Sequence, residues 1–228
     1  MAAAQLPLNL PHVIGSDRAD LVESPANRAA IELIDSWPAW PSPIAVLVGP
    51  RGSGKTHMGR VWARLGEAEI VPAREASKLG AVEPASRCFL IEDVRPGIAP
   101  ERALFHLLNH VRAVHGYCLF TSRNRPSAWN IALPDLASRL RTAAVVEIGL
   151  PDDELLSGVL FKLLSDRQIA VEPPVLAYAV SRMPRSLEIA SELSGLIDEE
   201  SLSRSRPVTR PVVNAALARI SAQADGDA

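Results

Sequence analysis

A stretch of eight residues, GPRGSGKT from Gly49 to Thr56, restricts the fold more than any other part of the chain. It satisfies the phosphate-loop pattern G-x-x-x-x-G-K-[ST] at each required position. Glycines such as Gly49, Gly52 and Gly54 let a loop wrap closely around a phosphate chain. Its successive N–H groups, Ser53 included, then form an anion-binding nest. Lys55 adds a point charge for the β- and γ-phosphates, and the Thr56 hydroxyl is placed to ligate Mg²⁺. An ordinary glycine-rich turn is the alternative, and the flanks decide between the two. The run before the loop, Ile44 to Val48 (IAVLV), is short, continuous and β-branched, as in a strand buried on both faces of a parallel sheet. After it, Met58, Val61, Trp62 and Leu65 recur at helical spacing. The loop therefore joins a strand to a helix, whose N-terminus adds partial positive charge to the phosphate site. His57 falls at the start of that helix.

Four further apolar runs follow: Glu69 to Val71, Cys88 to Ile91, Tyr117 to Thr121 and Val145 to Gly149. Helical segments alternate with them, including one from about Pro100 to His115. This alternation predicts an α/β fold, a parallel five-stranded sheet with helices on both faces. Ligands of such sheets bind beyond the carboxyl ends of the strands. Gly49, Glu92 and Thr121 each follow or close such an end, so three polar clusters converge on one crevice. Ahead of the sheet, Ser24 to Trp37 reads as a helix and Trp37 to Pro43 as a proline-punctuated loop. Past Leu150 the strand pattern stops. Asp152 to Arg167, Pro173 to Arg182, Arg185 to Ile197 and Thr209 to Ala222 read as helices, with Asp152 or Asp153 as a first cap. Three regions result: an extended tail over 1–16, a nucleotide-binding αβα unit over 17–150 and a small helical unit over 151–228.

The chain has 228 residues, 47% hydrophobic and 22% charged, which suits a globular protein with a substantial core. No apolar run is long enough to cross a bilayer, and no basic-then-apolar leader opens the chain. A cytoplasmic location is expected. Cys88 and Cys118 lie inside apolar runs and read as buried thiols of a reducing compartment. The formal net charge of −2, without an extended basic stretch, argues against strong independent binding of duplex DNA.

CFLIED, Cys88 to Asp93, is an apolar run closed by two carboxylates. It reads as the second half of a phosphate-loop site: Glu92 on the metal side, Asp93 on the side of the attacking water. A solvated acidic turn is the alternative. Arg139, in PDLASRL, and Arg185, in MPRSLEIA, are candidates for stabilising phosphate charge. His106 and His110 have metal-compatible spacing, but no neighbouring carboxylate or thiol completes a site. At the N-terminus, QLPLNL (Gln5 to Leu10) places leucines at every second position between prolines. Such a segment can lie extended in an apolar groove, or it can be a merely apolar tail.

Taken together, these motifs resemble the AAA+ ATPases of the DnaA family of bacterial replication initiators. Within that family the chain is most similar to the short regulatory members of the Hda type, over nearly its whole length. In the resemblance GPRGSGKT is Walker A and FLIED is Walker B. LVESPANRAA, with Asn27, is the stretch near the adenine, and LFTSRNRP is the sensor 1 region. PDLASRL is similar to the arginine-finger box, which implies that Arg139 reaches a neighbouring subunit's nucleotide. Arg185 resembles the sensor 2 arginine that reaches its own subunit's phosphates. QLPLNL resembles the hexapeptide that docks on the DNA polymerase sliding clamp (β subunit), through Gln5, Leu6, Leu8 and Leu10. The acidic C-terminal residues Asp198, Glu199, Glu200, Asp225 and Asp227 suit a relative without the basic helix-turn-helix module of full-length initiators.

Two departures stand out. Arg123 occupies the place of an acidic sensor residue, and Walker B reads Glu92-Asp93 rather than two aspartates. The initiators' box also has an arginine where Leu136 stands here. Weak intrinsic hydrolysis is therefore expected. The resemblance implies a negative regulator of replication initiation. It would bind ADP or ATP with Mg²⁺, dock on the clamp and promote hydrolysis of the ATP held by the DnaA initiator through the Arg139 face. Alternatives are a self-hydrolysing AAA+ ATPase that remodels or loads another protein, and a non-catalytic adaptor. No membrane partner is expected, and self-association is left open.

Overall fold

The computed structural model describes residues 17–80, 86–97, 100–204 and 208–226. The first helix, α1 (Arg28–Asp35), starts at Arg28 rather than at Ser24. Ser24 and Asn27 instead close a turn ahead of it. Asn27 Oδ1 accepts the Ser24 N–H at 2.8 Å, and its Nδ2 donates to the Val22 carbonyl at 2.8 Å. Polar side chains that bond nearby backbone compete with helix in this way.

The sheet is built from β1 (Ile44–Val48), β2 (Glu69–Pro72), β3 (Cys88–Val94), β4 (Tyr117–Ser122) and β5 (Ala144–Glu147). Between them run α2 (Lys55–Leu65), α3 (Glu101–Ala113) and α4 (Pro134–Leu140). All strand pairs are parallel, in the spatial order β2-β3-β4-β1-β5. This is the expected fold class. All five residues of β1 are buried, as its unbroken apolar run requires. β3 runs on through Glu92 and Asp93 to Val94, past the end of its apolar run. β5 closes at Glu147, although the Ile148 N–H still donates to the Val48 carbonyl at 2.7 Å.

Side chains alternate across the sheet with the period of two that strands impose. Val46, Phe89, Ile91 and Phe120 face one way, onto Leu104, Leu108 and Val111 of α3 and Leu136 of α4. Ala45, Leu47, Leu90 and Leu119 face the other way, onto Ile34 of α1 and Met58, Val61 and Trp62 of α2. The proline-rich loop after α1 has a structural use that its sequence did not reveal. Trp40 stacks on Trp62 with ring centroids 5.2 Å apart, and Tyr117 donates its hydroxyl to the Pro38 carbonyl at 2.9 Å. Trp62 is wholly buried there with its Nε1 lacking a hydrogen-bond partner, so the gain from apolar burial is partly offset.

The remaining helices are α5 (Asp153–Asp166), α6 (Pro173–Val180), α7 (Leu187–Arg204) and α8 (Arg210–Gly226). Leu156, Leu160, Leu193, Ile197, Val213 and Ile220 are among the residues of a second core that they share. Asp152 caps α5, its Oδ1 accepting the Leu155 N–H at 2.7 Å. The third of these helices is longer than its sequence pattern suggests, reaching Arg204 rather than Ile197. Among the described residues no helix is long and apolar enough to cross a membrane.

Candidate functional site

The loop after β1 is shaped by two glycines with left-handed backbone, Gly52 (φ +74°) and Gly54 (φ +93°). Few other residues adopt such angles without strain. Its start is tied to β4, since the Gly49 N–H donates to the Ser122 carbonyl at 3.2 Å. Ser53 is buried, whereas Thr56 is exposed on the first turn of α2. Lys55 folds back over the loop and donates from Nζ to the Pro50 carbonyl at 2.6 Å. Burial pushes the Lys55 ammonium below its ordinary pKa, and the positive charge of Arg123 adds to this while Asp93 opposes it. The loop thus holds glycine-shaped backbone, a helix N-terminus and a half-buried cation in one place.

Helix α7 abuts the loop directly. The Leu187 N–H donates to the Gly52 carbonyl at 2.8 Å. Arg51 forms a two-pronged pair with Glu188, at 3.0 and 2.9 Å. A Cβ on Gly52 would lie 2.1 Å from Ser186 Oγ, so the approach itself requires glycine. Arg185, the residue that sequence reasoning singled out here, is turned toward α5. It pairs with Asp153 at 2.8 Å and donates to the Pro151 carbonyl at 3.1 Å. The residues that clasp the loop are Arg51, Ser186, Leu187 and Glu188, none of which the motif reading named beyond the loop itself. Arg51 and Glu188 are opposite charges, but nothing in the sequence pairs residues so far apart.

The two carboxylates after the apolar run of β3 have different surroundings. Glu92 lies toward α2, with Arg60 Nε 3.4 Å from its Oε1. That oxygen is buried and accepts no hydrogen bond. Asp93 has a left-handed backbone (φ +59°), and its N–H donates to Thr121 Oγ1 at 3.0 Å. Its carboxylate is gripped by Arg95, Nε to Oδ1 at 3.0 Å and Nη2 to Oδ2 at 2.6 Å. The Arg95 guanidinium holds the Asp93 carboxyl below the usual carboxylate range. The sequence reading named Asp93 but missed Arg95, whose place two residues along is the available signal.

These groups fit a nucleotide phosphate chain with a hydrated cation. The glycine-shaped nest and Lys55 supply donors for phosphate. The undonated Glu92 oxygen and the exposed Thr56 hydroxyl are protein oxygens that could hold a Mg²⁺ ion. Among the described residues no three His, Cys, Asp or Glu side chains group into a dedicated metal site. A cation here would therefore rest largely on phosphate and water oxygens, as Mg²⁺ commonly does.

Neighbouring elements hold the rim. Ser122 Oγ donates to the Val94 carbonyl at 2.7 Å, and Trp129 Nε1 lies 3.1 Å from Ser122 Oγ and 2.9 Å from the Asn124 carbonyl. Buried Trp129 thereby braces the segment that carries Arg123, a role the sequence did not signal. Both polar atoms of the Asn27 side chain are engaged inside their own turn, which meets the end of the sheet through Gly149 N–H to Ala26 carbonyl, 2.9 Å. Asn27 therefore shapes the rim. His57 lies near Asp20, which pairs with Lys162 of α5 at 2.9 Å. Burial lowers the His57 pKa, Asp20 opposes the shift, and the positive charges of Lys162 and Arg60 add to it.

Arg139 is elsewhere. It lies near the C-terminal end of α4, where Nη2 donates to Asn109 Oδ1 at 2.5 Å and Cζ sits 5.2 Å from the Phe105 ring centre. It lines a cavity of about 470 Å³ together with Pro43, Ile44 and Arg112. Ile44 begins β1, whereas the phosphate loop follows its other end. Across a five-residue strand that separation is on the order of 13 Å or more. The structure thus gathers Gly49, Gly52, Ser53, Gly54, Lys55, Thr56, Glu92 and Asp93 about one crevice, sets His57 beside Asp20 and Lys162, and leaves Arg139 outside it. Gln5, Leu6, Leu8 and Leu10 lie outside the described residues.

No protein-family model matches the sequence. An uncharacterized protein of Haemophilus influenzae is 27% identical over 184 residues, covering 75% of this chain and 80% of that protein. Domain III of the replication initiation protein DnaA from Thermotoga maritima is similar in structure, with a TM-score of 0.75 at 18% identity. The match covers 90% of this chain and 96% of that one. AMPPCP-bound DnaA from Aquifex aeolicus gives a TM-score of 0.68 at 16% identity, over 82% of this chain and 66% of that one. RuvB, the Thermotoga maritima Holliday junction branch migration motor, gives 0.69 at 14% identity, over 90% and 72%. The chain has the AAA+ P-loop fold that these proteins share.

The clasp generates a contrast between two adjacent positions. Gly52→Val must distort a left-handed backbone and displace Ser186, so it should destabilise by about 1–3 kcal/mol in urea unfolding. Arg51→Ala removes only an exposed pair and should leave the midpoint nearly unchanged. Equal effects of the two would contradict this view of the contact.

Proposed function

We propose that this chain is an Hda-type regulator of replication initiation. It holds ADP or ATP with Mg²⁺ at its own phosphate loop, docks on the DNA polymerase sliding clamp and promotes hydrolysis of ATP bound to the DnaA initiator. The observation that carries the reading is the position of Arg139. It sits at the end of β1 remote from the chain's own loop, so its charge is available to a nucleotide on another molecule. An arginine supplied in trans to a γ-phosphate raises hydrolysis by about 10³–10⁵ in known systems. Asn109 and Phe105 hold the guanidinium in place, which lessens the ordering needed on docking. The AAA+ fold shared with DnaA supports the choice of partner, because subunits of one fold can pack face to face in the same way.

At the chain's own loop, Lys55 and the backbone nest bind phosphate. His57 and the turn around Asn27 are assigned to the border of the crevice, and Arg185, held by Asp153 in the structure, is assigned to the phosphates by resemblance. Mg²⁺, held by Thr56 and on the Glu92 side, would offset phosphate charge. The clamp contact is assigned to Gln5, Leu6, Leu8 and Leu10, through the alternating leucines of QLPLNL. The likeness to RuvB favours a second reading, a self-hydrolysing ATPase that acts on another assembly. Steady-state ATP turnover by the isolated protein separates the two, being slow in the first and fast in the second.

In a reconstituted assay with clamp-loaded DNA and ATP-bound initiator, Arg139→Ala should keep clamp binding and lose stimulated hydrolysis, by about 10³-fold. Stimulation equal to that of the unaltered protein would remove Arg139 from the reaction. Replacing Gln5, Leu6 and Leu8 together with alanine should abolish co-purification with the clamp. Retention of the clamp by that variant would refute the tail assignment.

A further inference from the structure

We propose that Arg95 keeps this chain's own site binding rather than hydrolysing, by engaging both carboxylate oxygens of Asp93. The proposal rests on the reading of the loop as a nucleotide site. Three features on the page carry it. The backbone of Asp93 is fixed: its φ is +59°, its N–H is held by Thr121 Oγ1 at 3.0 Å, and the strand register breaks between Ile91 and Val94. Within that turn Arg95 lies two residues on and presents Nε and Nη2 to Oδ1 and Oδ2 at 3.0 and 2.6 Å. A guanidinium fork matched to both oxygens of a carboxylate is the most directional ion pair available to a protein. The other carboxylate is faced by a guanidinium as well, with Arg60 3.4 Å from Glu92.

Hydrolysis at this loop would need Asp93, the acid on the side of the attacking water, to be free; Glu92, whose buried Oε1 accepts no hydrogen bond, is left to the cation side. An unengaged Asp93 carboxylate would take a proton from a water whose oxygen bonds to the γ-phosphorus. The bond from that phosphorus to the bridging oxygen breaks, and ADP leaves with the electron pair. In the fork, each Asp93 oxygen accepts an N–H from Arg95, so the lone pair turned to that donor is not open to a water proton. Arg95 is exposed and its pair closes within one turn, so the engagement needs no partner molecule.

The full chain tests this with Arg95→Gln, Arg95→Lys and the double variant Arg95→Gln/Asp93→Asn. ATP affinity should persist in all of them. Turnover should rise about ten-fold or more in Arg95→Gln, less in Arg95→Lys, and fall back in the double variant. Independently of nucleotide, the Arg95 Nε–H should exchange slowly with water in ¹⁵N NMR and speed up in Asp93→Asn. Intact binding with unchanged turnover in Arg95→Gln would overturn the proposal, and so would Nε–H exchange indifferent to Asp93. Absence of ATP binding by the unaltered chain would refute the nucleotide reading and this inference with it.

Discussion

The contact between the Gly52 carbonyl and the Leu187 N–H organises the site. It joins the phosphate loop of one core to the first turn of a helix that belongs to the other. It is short because Gly52 has no side chain and a left-handed backbone, which lets Ser186 approach where a Cβ would collide. Around it stand Lys55, Arg51, Arg95 and Arg123, set against Asp93 and Glu188. The surplus is positive, which suits a polyanion. The phosphate loop and the start of α7 are thus in direct contact, and the helical unit forms one wall of the crevice.

The sheet separates two chemistries along one strand. At the carboxyl end of β1 lies the loop, and at its amino end lies the cavity lined by Arg139. Helix α3 holds the second site from two points. Glu101, in its first turn, accepts the N–H groups of Ala132 and Leu133 at 2.9 and 2.7 Å, just ahead of α4. Asn109, further along, accepts from Arg139 itself. This carboxylate from another helix fixes the segment that leads into α4, which Pro134 opens with an N–H-free first position. A fold built for a nucleotide at one end can thus display a steadied arginine at the other.

Much of this could be read from sequence because it depends on local patterns. Apolar runs and periodicity identified the strands and the covering helices α1, α2 and α3 but not α4; the loop pattern picked out Lys55 and Thr56, and the acids closing an apolar run picked out Glu92 and Asp93. The misread boundaries have structural causes: the Ser24–Asn27 turn delays α1, and β3 continues past its apolar run across a register break, where Thr121 Oγ1 takes the Asp93 N–H and Val94 pairs with Ser122. What stayed hidden depends on residues brought together by topology. Arg51 with Glu188, Arg139 with Asn109, and Trp129 with Ser122 leave no periodic trace. The expectation that Arg185 reaches toward phosphate came from likeness alone, and in the structure Asp153 holds that side chain at the start of α5.

The central claim is that the crevice between the phosphate loop and α7 is a nucleotide site. Titration calorimetry of ADP and ATP into the intact chain with Mg²⁺ tests it most directly. Saturable binding of one nucleotide per chain is predicted, weakened about ten-fold or more by Lys55→Ala through loss of a charge-assisted phosphate contact. Absence of binding, or equal affinity in Lys55→Ala, would contradict the account.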